Sequence, residues 1–218
     1  MQREVDKVTN SNNQTLHLTE DLLLAKGSER SCYLHPFDNE KVIKIAPEKK
    51  GSRNQNNLEM HYHSFLMRSN KNLEYLTHCF GFVETNLGKG LVFTRVLNYD
   101  GTASHSLSYM IYHKKVLADT LRENLNSLLS YLSANQILFS DIDCGNVFCK
   151  KVNSEEYVFI VVDGLGARRF GYKYWLYLNI GFYRRYKIVK QGLRMKKHFE
   201  KSLVKALTKD PKDIVFYK

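Results

Sequence analysis

Five polar side chains carry the chemistry this sequence suggests. Lys44 interrupts the strand-like run Val42-Ile43-Lys44-Ile45, and Glu59 follows in the next segment. Asp141 and Asn146 stand five apart directly after the apolar run Ile137-Leu138-Phe139, and Asp163 closes the β-branched run that begins at Tyr157, just before Gly164. Carboxylates placed so close to a core pay desolvation unless a charge meets them. A nucleoside triphosphate, with about four negative charges on its phosphates, is a ligand that needs an ammonium and metal-holding acids arranged around one point.

Each residue also has a plainer reading. Lys44 could be an edge-strand lysine facing water, Glu59 a surface helix acid, Asp141 with Asp143 a polar turn, and Asp163 a turn cap. A further reading takes Asp141-Ile142-Asp143 as a DxD pair, which in glycosyltransferases holds Mn²⁺ and a nucleotide sugar. That reading lacks the alternating strand and helix pattern a nucleotide-sugar domain needs at the N-terminus.

The elements that must position these groups are legible in outline. Residues 1–15 are polar and read as a flexible terminus. From Leu22 the pattern is strand and turn: LLLAKG, RSCYLHP and KVIKIAP, separated by turn-forming residues that include Gly27, Pro36, Asp38 and Asn39. A helix starts near Ser52 with Gln55 as a capping box, and Leu58, Tyr62, Phe65 and Leu66 form its apolar stripe. Two more strands, CFGFVET and GLVFTRVL, flank a turn at Asn86 to Lys89. Leu121, Leu125, Leu128, Leu129 and Leu132 place five leucines on one side of a helix opened by Thr120 and Glu123. A strand at Asn146 to Cys149 and the run ending at Asp163 follow, and the remainder is helical.

Composition bounds the class. The chain has 218 residues, 43% hydrophobic and 25% charged, as expected of a globular protein with one good core or two small lobes. No stretch has the length of a bilayer span, and the polar N-terminus lacks the apolar region of a signal peptide, so a cytoplasmic protein is expected. Four cysteines without a CxxC pair point to free thiols. The net charge of +11 lies entirely between Arg168 and Lys205, which hold twelve Lys or Arg against Glu200 alone. Such a run is either a solvated face or a surface for an anion: a glycan or an acidic membrane met by Arg184, Arg185, Lys196 and Lys197, with a peripheral place at the inner membrane. No motif that reads bases is present, so sequence-specific nucleic-acid binding is not expected.

Taken in order, the five residues match the parts of a kinase: a strand Lys for the phosphates, a helix Glu that orients it, a catalytic-loop Asp as base, and an Asn and an Asp for Mg²⁺. At these places the sequence resembles the PhoP regulatory network protein YrbL family, of the protein-kinase-like superfamily, through LAKGSERSCYLHPFDNEKVIKI, ETNLGKGLVFTRVLNYDG and VVDGLG. The resemblance implies that Gly27, Ser28 and Arg30 lie over the phosphates, that Lys44 and Glu59 form an ion pair, that Asp141 is the base and that Asn146 and Asp163 hold the metal. It also implies an adenine near Arg95 to Leu97 and a role in a PhoP-type envelope response. Several positions depart from the kinase pattern: one glycine at Gly27 in place of three, Phe139-Ser140 in place of His and Arg, and Asp143 in place of a Lys. The expectation is an α+β, kinase-like two-lobed fold. Residues 16–98 would form an antiparallel sheet with one helix, and residues 99–218 a short, mainly helical lobe. ATP and Mg²⁺ would be used on a small-molecule or lipopolysaccharide-type acceptor, with a catalytically weak binding module as the alternative.

Overall fold

A computed structural model of the chain describes residues 15–27, 29–46 and 55–208. The polar N-terminus up to residue 14, Ser28 and the capping box expected at Ser52 lie outside the described residues.

The fold is α+β. Strands β1 (Leu23–Lys26), β2 (Ser31–His35), β3 (Asp38–Ile45), β4 (Cys79–Thr85) and β5 (Gly88–Thr94) form an antiparallel sheet in the order β1-β2-β3-β5-β4. Helix α1 (Gln55–Arg68) connects β3 to β4. Lys44 therefore sits on the central strand, opposite Cys32 on one side and Leu91 on the other, and not on an edge. Side chains alternate faces along a strand. Ile43 and Ile45 pack with Leu18, Tyr33 and Val92 on one side, whereas Val42 joins Leu91 and Phe93 in a separate cluster.

The rest of the chain begins with β6 (His105–Ser106), α2 (Leu107–Tyr112) and α3 (Ala118–Ala134). It continues through β7 (Val147–Lys151) and β8 (Tyr157–Val161), which complete a small antiparallel sheet with β6, and ends in α4 (Tyr172–Asn179) and α5 (Gly181–Thr208). The largest core belongs to this part. Leu121, Leu125, Leu128 and Leu132 of α3 are buried against Ile137, Leu138, Val147, Phe159, Met195 and Phe199, and Leu129 is only partly buried. Each such leucine contributes about 1.5–3 kcal/mol relative to exposure. Helix α1 carries Leu58, Tyr62 and Leu66 into the same cluster, so the helix next to the sheet is also seated in the helical core.

Two boundaries differ from expectation for identifiable reasons. Helix α3 starts at Ala118, two residues before Thr120, and its N-cap residue Leu117 makes no side-chain cap; Asp119 supplies negative charge to the first turn instead. Strand β8 stops at Val161 because the next residue leaves the ladder: the Val162 amide donates to the Asn146 carbonyl at 3.0 Å, and its carbonyl accepts from Lys44 Nζ at 2.8 Å. The four cysteines are unpaired. Among the described residues no helix is long and apolar enough to cross a membrane.

Candidate functional site

A cleft of about 480 Å³ opens where β1 to β3 and α1 face the loops around Asp141 and Asp163. It is lined by Gly27, Arg30, Lys44, Glu59, Asp141, Asn146 and Asp163, and so gathers every described residue expected to form the site. Leu24, Val42, Phe93, Val96 and Phe148 give it an apolar wall beside Arg95, and its volume suits a small ligand.

Buried charge organises one end. Lys44 Nζ lies 3.0 and 3.3 Å from the two Glu59 carboxylate oxygens and 4.2 Å above the Phe93 ring. Both residues are almost fully buried, which sets aside the edge-strand and surface-helix readings. Asn56, one turn before Glu59, fastens the helix to the strand through its Nδ2, 2.8 Å from the Lys44 carbonyl. Arg30 arrives from the other side. One guanidinium nitrogen donates to Glu59 and the other lies 2.5 and 2.6 Å from the two oxygens of Asp163. Burial alone would raise the Asp163 carboxyl, but Lys44 and Arg30 outweigh it and hold it well below the carboxylate range. In Arg30 burial is likewise outweighed, by Glu59 and Asp163, so its guanidinium stays charged. Cys32 also lines the cleft, and burial pushes its thiol up to about 11, which keeps it protonated.

The other end is a loop held by backbone contacts. The Gly164 carbonyl accepts from the amides of Ser140 and Asp141 at 2.8 and 3.1 Å, and Asn146 Nδ2 lies 2.9 Å from the Asp141 carbonyl and 3.3 Å from its carboxylate. Gly164 has φ +81°, and a Cβ there would stand 2.8 Å from the Asp141 carbonyl and 3.2 Å from Asn146 Nδ2. The glycine after Asp163 is thus required both by its backbone angle and by the closeness of the two loops. Helix α1 spans both ends, since Tyr62, three residues after Glu59, accepts from the Leu138 amide at 2.8 Å.

Four residues of the site were not singled out in advance as parts of it. Arg168 lies 2.7 Å from Asp141 in an ion pair whose side chains are both more than half exposed. Gln191 of α5 donates to the Ser140 hydroxyl at 2.7 Å, and Ser140 donates to the Gly166 carbonyl, so this serine ties the loop to the long helix. Asn56 carried a signal, a polar residue at i−3 from Glu59 on the same helix side. Arg168 and Gln191 carried none, because each is drawn in by tertiary contact. Asp143 turns away: it caps the short turn Cys144–Asn146 through the Gly145 amide, 3.7 Å from His198, and does not line the cleft. Asp141 and Asp143 therefore face different partners.

Asp163 and Asn146 offer the hard oxygen donors that Mg²⁺ takes, and that ion binds through one or two carboxylates together with phosphate oxygens and water. The donor types suit that ion, and in this structure Arg30 holds both Asp163 oxygens. Among the described residues no cluster of three or more His, Cys, Asp or Glu side chains forms a complete protein cage.

Residues 16–200 match the family described as PhoP regulatory network protein YrbL. The uncharacterized protein YrbL of Escherichia coli (strain K12) is 29% identical over 154 residues, which cover 69% of this chain and 73% of that protein. The uncharacterized protein YrbL of Shigella flexneri aligns with the same identity and coverage. The family match takes in the whole cleft, from Leu24 to Arg168, and most of α5. The chain belongs to the PhoP regulatory network protein YrbL family.

Proposed function

We propose that this protein is an ATP- and Mg²⁺-dependent phosphotransferase with a protein-kinase-like architecture, residues 16–98 forming the sheet-bearing lobe and residues 99–218 the helical one. The acceptor in this reading is a small molecule or an envelope glycan, phosphorylated in the cytoplasm. One observation carries it: the buried Lys44–Glu59 ion pair meets the partly exposed Asp163 in a cleft shared with Asp141 and Asn146. Lys44 would contact the α and β phosphates while Glu59 keeps it aimed. Asp163 and Asn146 would hold Mg²⁺, which on binding neutralises charge developing on the transferred phosphoryl group. Asp141 would accept the acceptor hydroxyl's proton, and Gly27 with Arg30 would close over the phosphates. The apolar wall near Arg95 and Val96 suits a base.

A second reading, a catalytically weak binding module, is favoured by the grip of Arg30 on both Asp163 oxygens and of Arg168 on Asp141. The glycosyltransferase reading has less support, because Asp143 faces His198 and the helix behind it. A nucleotide panel followed by thermal melting separates the three. ATP with Mg²⁺ at a hundredfold excess over Kd should raise the melting temperature by about 5–10 °C, and a UDP-sugar with Mn²⁺ should not. Phosphate release from ATP should fall about a hundredfold or more in Asp141→Asn. Equal release by both proteins favours the module, and no shift with any adenine nucleotide overturns both ATP-based readings.

A further inference from the structure

Helix α5 has two unlike faces, and the function proposed for the cleft uses neither its outer face nor the charge on it. Ile188, Gln191, Met195, Phe199, Ser202 and Ala206 are buried and hold the helix to the core. Phe182, Tyr186, Val189 and Leu193, spaced four, three and four, are each more than half exposed. At about 100° per residue this second line runs nearly opposite the buried one. A line of large apolar groups pointed away from the core has no folding role, so it marks contact with something else.

Charge says what that partner is. Exposed Arg185 borders the line on one side, and exposed Lys190, Arg194 and Lys197 border it on the other. Glu200, the sole acid between Arg168 and Lys205, is neutralised by Arg122 at 2.8 and 3.0 Å. Neighbouring α4 adds exposed Tyr172, Lys173 and Trp175. Two of the residues expected to make this surface lie elsewhere. Arg184 turns inward, donating to the carbonyls of Tyr177 and Leu178 at 3.0 Å and stacking over Phe65, while Lys196 lies beside α3 at the edge of the face. A second copy of the chain is a poor partner, since the flanks that would meet across a helix pair are basic on both copies. An apolar and aromatic line between two rows of cations is the pattern of a helix lying in a membrane interface.

We propose that the outer face of α5, from Phe182 to Lys197, docks the protein on an anionic phospholipid bilayer, with Trp175 of α4 near the surface. The docked helix lies in the headgroup plane with its buried line still facing the protein. This inference does not depend on the chemistry of the cleft.

Trp175 is the single tryptophan of the chain, so its fluorescence reports on this face without labelling. The full chain should sediment with phosphatidylglycerol-containing vesicles, with a blue shift of the tryptophan emission, and not with pure phosphatidylcholine vesicles. Replacing Arg185, Lys190 and Lys197 by Gln should weaken binding about a hundredfold at low salt. Val189→Ser with Leu193→Ser should weaken it about tenfold or more and remove the blue shift, with circular dichroism confirming that both variants stay folded. Failure of the wild type to bind anionic vesicles overturns the proposal, as does full binding by the apolar variant. So does equal affinity for a soluble polyanion, which would make the face a glycan site, or a dimer that the serine variant dissolves. Melting with ATP and Mg²⁺ on the same variants keeps the two proposals separate, because neither set of substitutions touches the cleft.

Discussion

The two ends of the cleft hold an aspartate each and treat it differently. Asp163, with about a third of its side chain exposed, is held by the Arg30 guanidinium with the buried Lys44 ammonium 3.8 Å away, and these cations depress its carboxyl. Asp141 pairs with one cation, Arg168, both more than half exposed to water, and accepts from Asn146 Nδ2 at 3.3 Å. Burial explains the contrast. A charge removed from water must be paired and hydrogen-bonded, so the Asp163 end is a closed network in which each member depends on the others. In water the same ion pair gains little and exchanges readily, which leaves Asp141 accessible to a ligand. The Asp163 end is closed by paired charges, and the Asp141 end is open to water.

Breaking the closed end should have the largest effect. Glu59→Ala leaves Lys44 and Arg30 buried with one carboxylate between them and should lower stability by about 3–5 kcal/mol, measured by urea unfolding. The pH response should also come from this side. His63, one turn after Glu59 and packed on Phe93, is buried with no partner for its Nε2; burial pushes its imidazole down to about 4, against the pull of the Glu59 carboxylate. Between its ordinary value of 6.5 and about 4 the unfolded chain takes up a proton that the folded chain refuses. Stability should therefore fall as pH drops through that window, by at most roughly 3 kcal/mol, and His63→Gln should flatten the slope. The smallest change belongs to the open end: Arg168→Ala should cost about 1 kcal/mol or less in the same unfolding measurement. A large loss there would erase the contrast between the two aspartates.

Local pattern carried much of this protein. Strand alternation around Lys44, the leucine spacing of α3 and the Asp163-Gly164 pair were readable because period and turn chemistry act over a few residues. The five strands and the helix after Lys44 followed, and the cleft is lined by Gly27, Arg30, Lys44, Glu59, Asp141, Asn146 and Asp163 among others that no local pattern marked, such as Arg168. Boundaries such as the start of α3 were less legible, since a charge in the first turn can replace a cap.

The amino-acid order by itself determined which residue types stand on which elements, and hence that a lysine, a glutamate and two aspartates could face a common space. Tertiary structure alone decided the pairings: that Arg30 reaches Asp163 across 133 positions of chain, that Arg184 turns into the core while Arg185 stays in water, and that Gln191 anchors Ser140. Long polar side chains have many rotamers of similar energy, and which one is kept depends on what distant segments bring within hydrogen-bond reach. No local period encodes that choice.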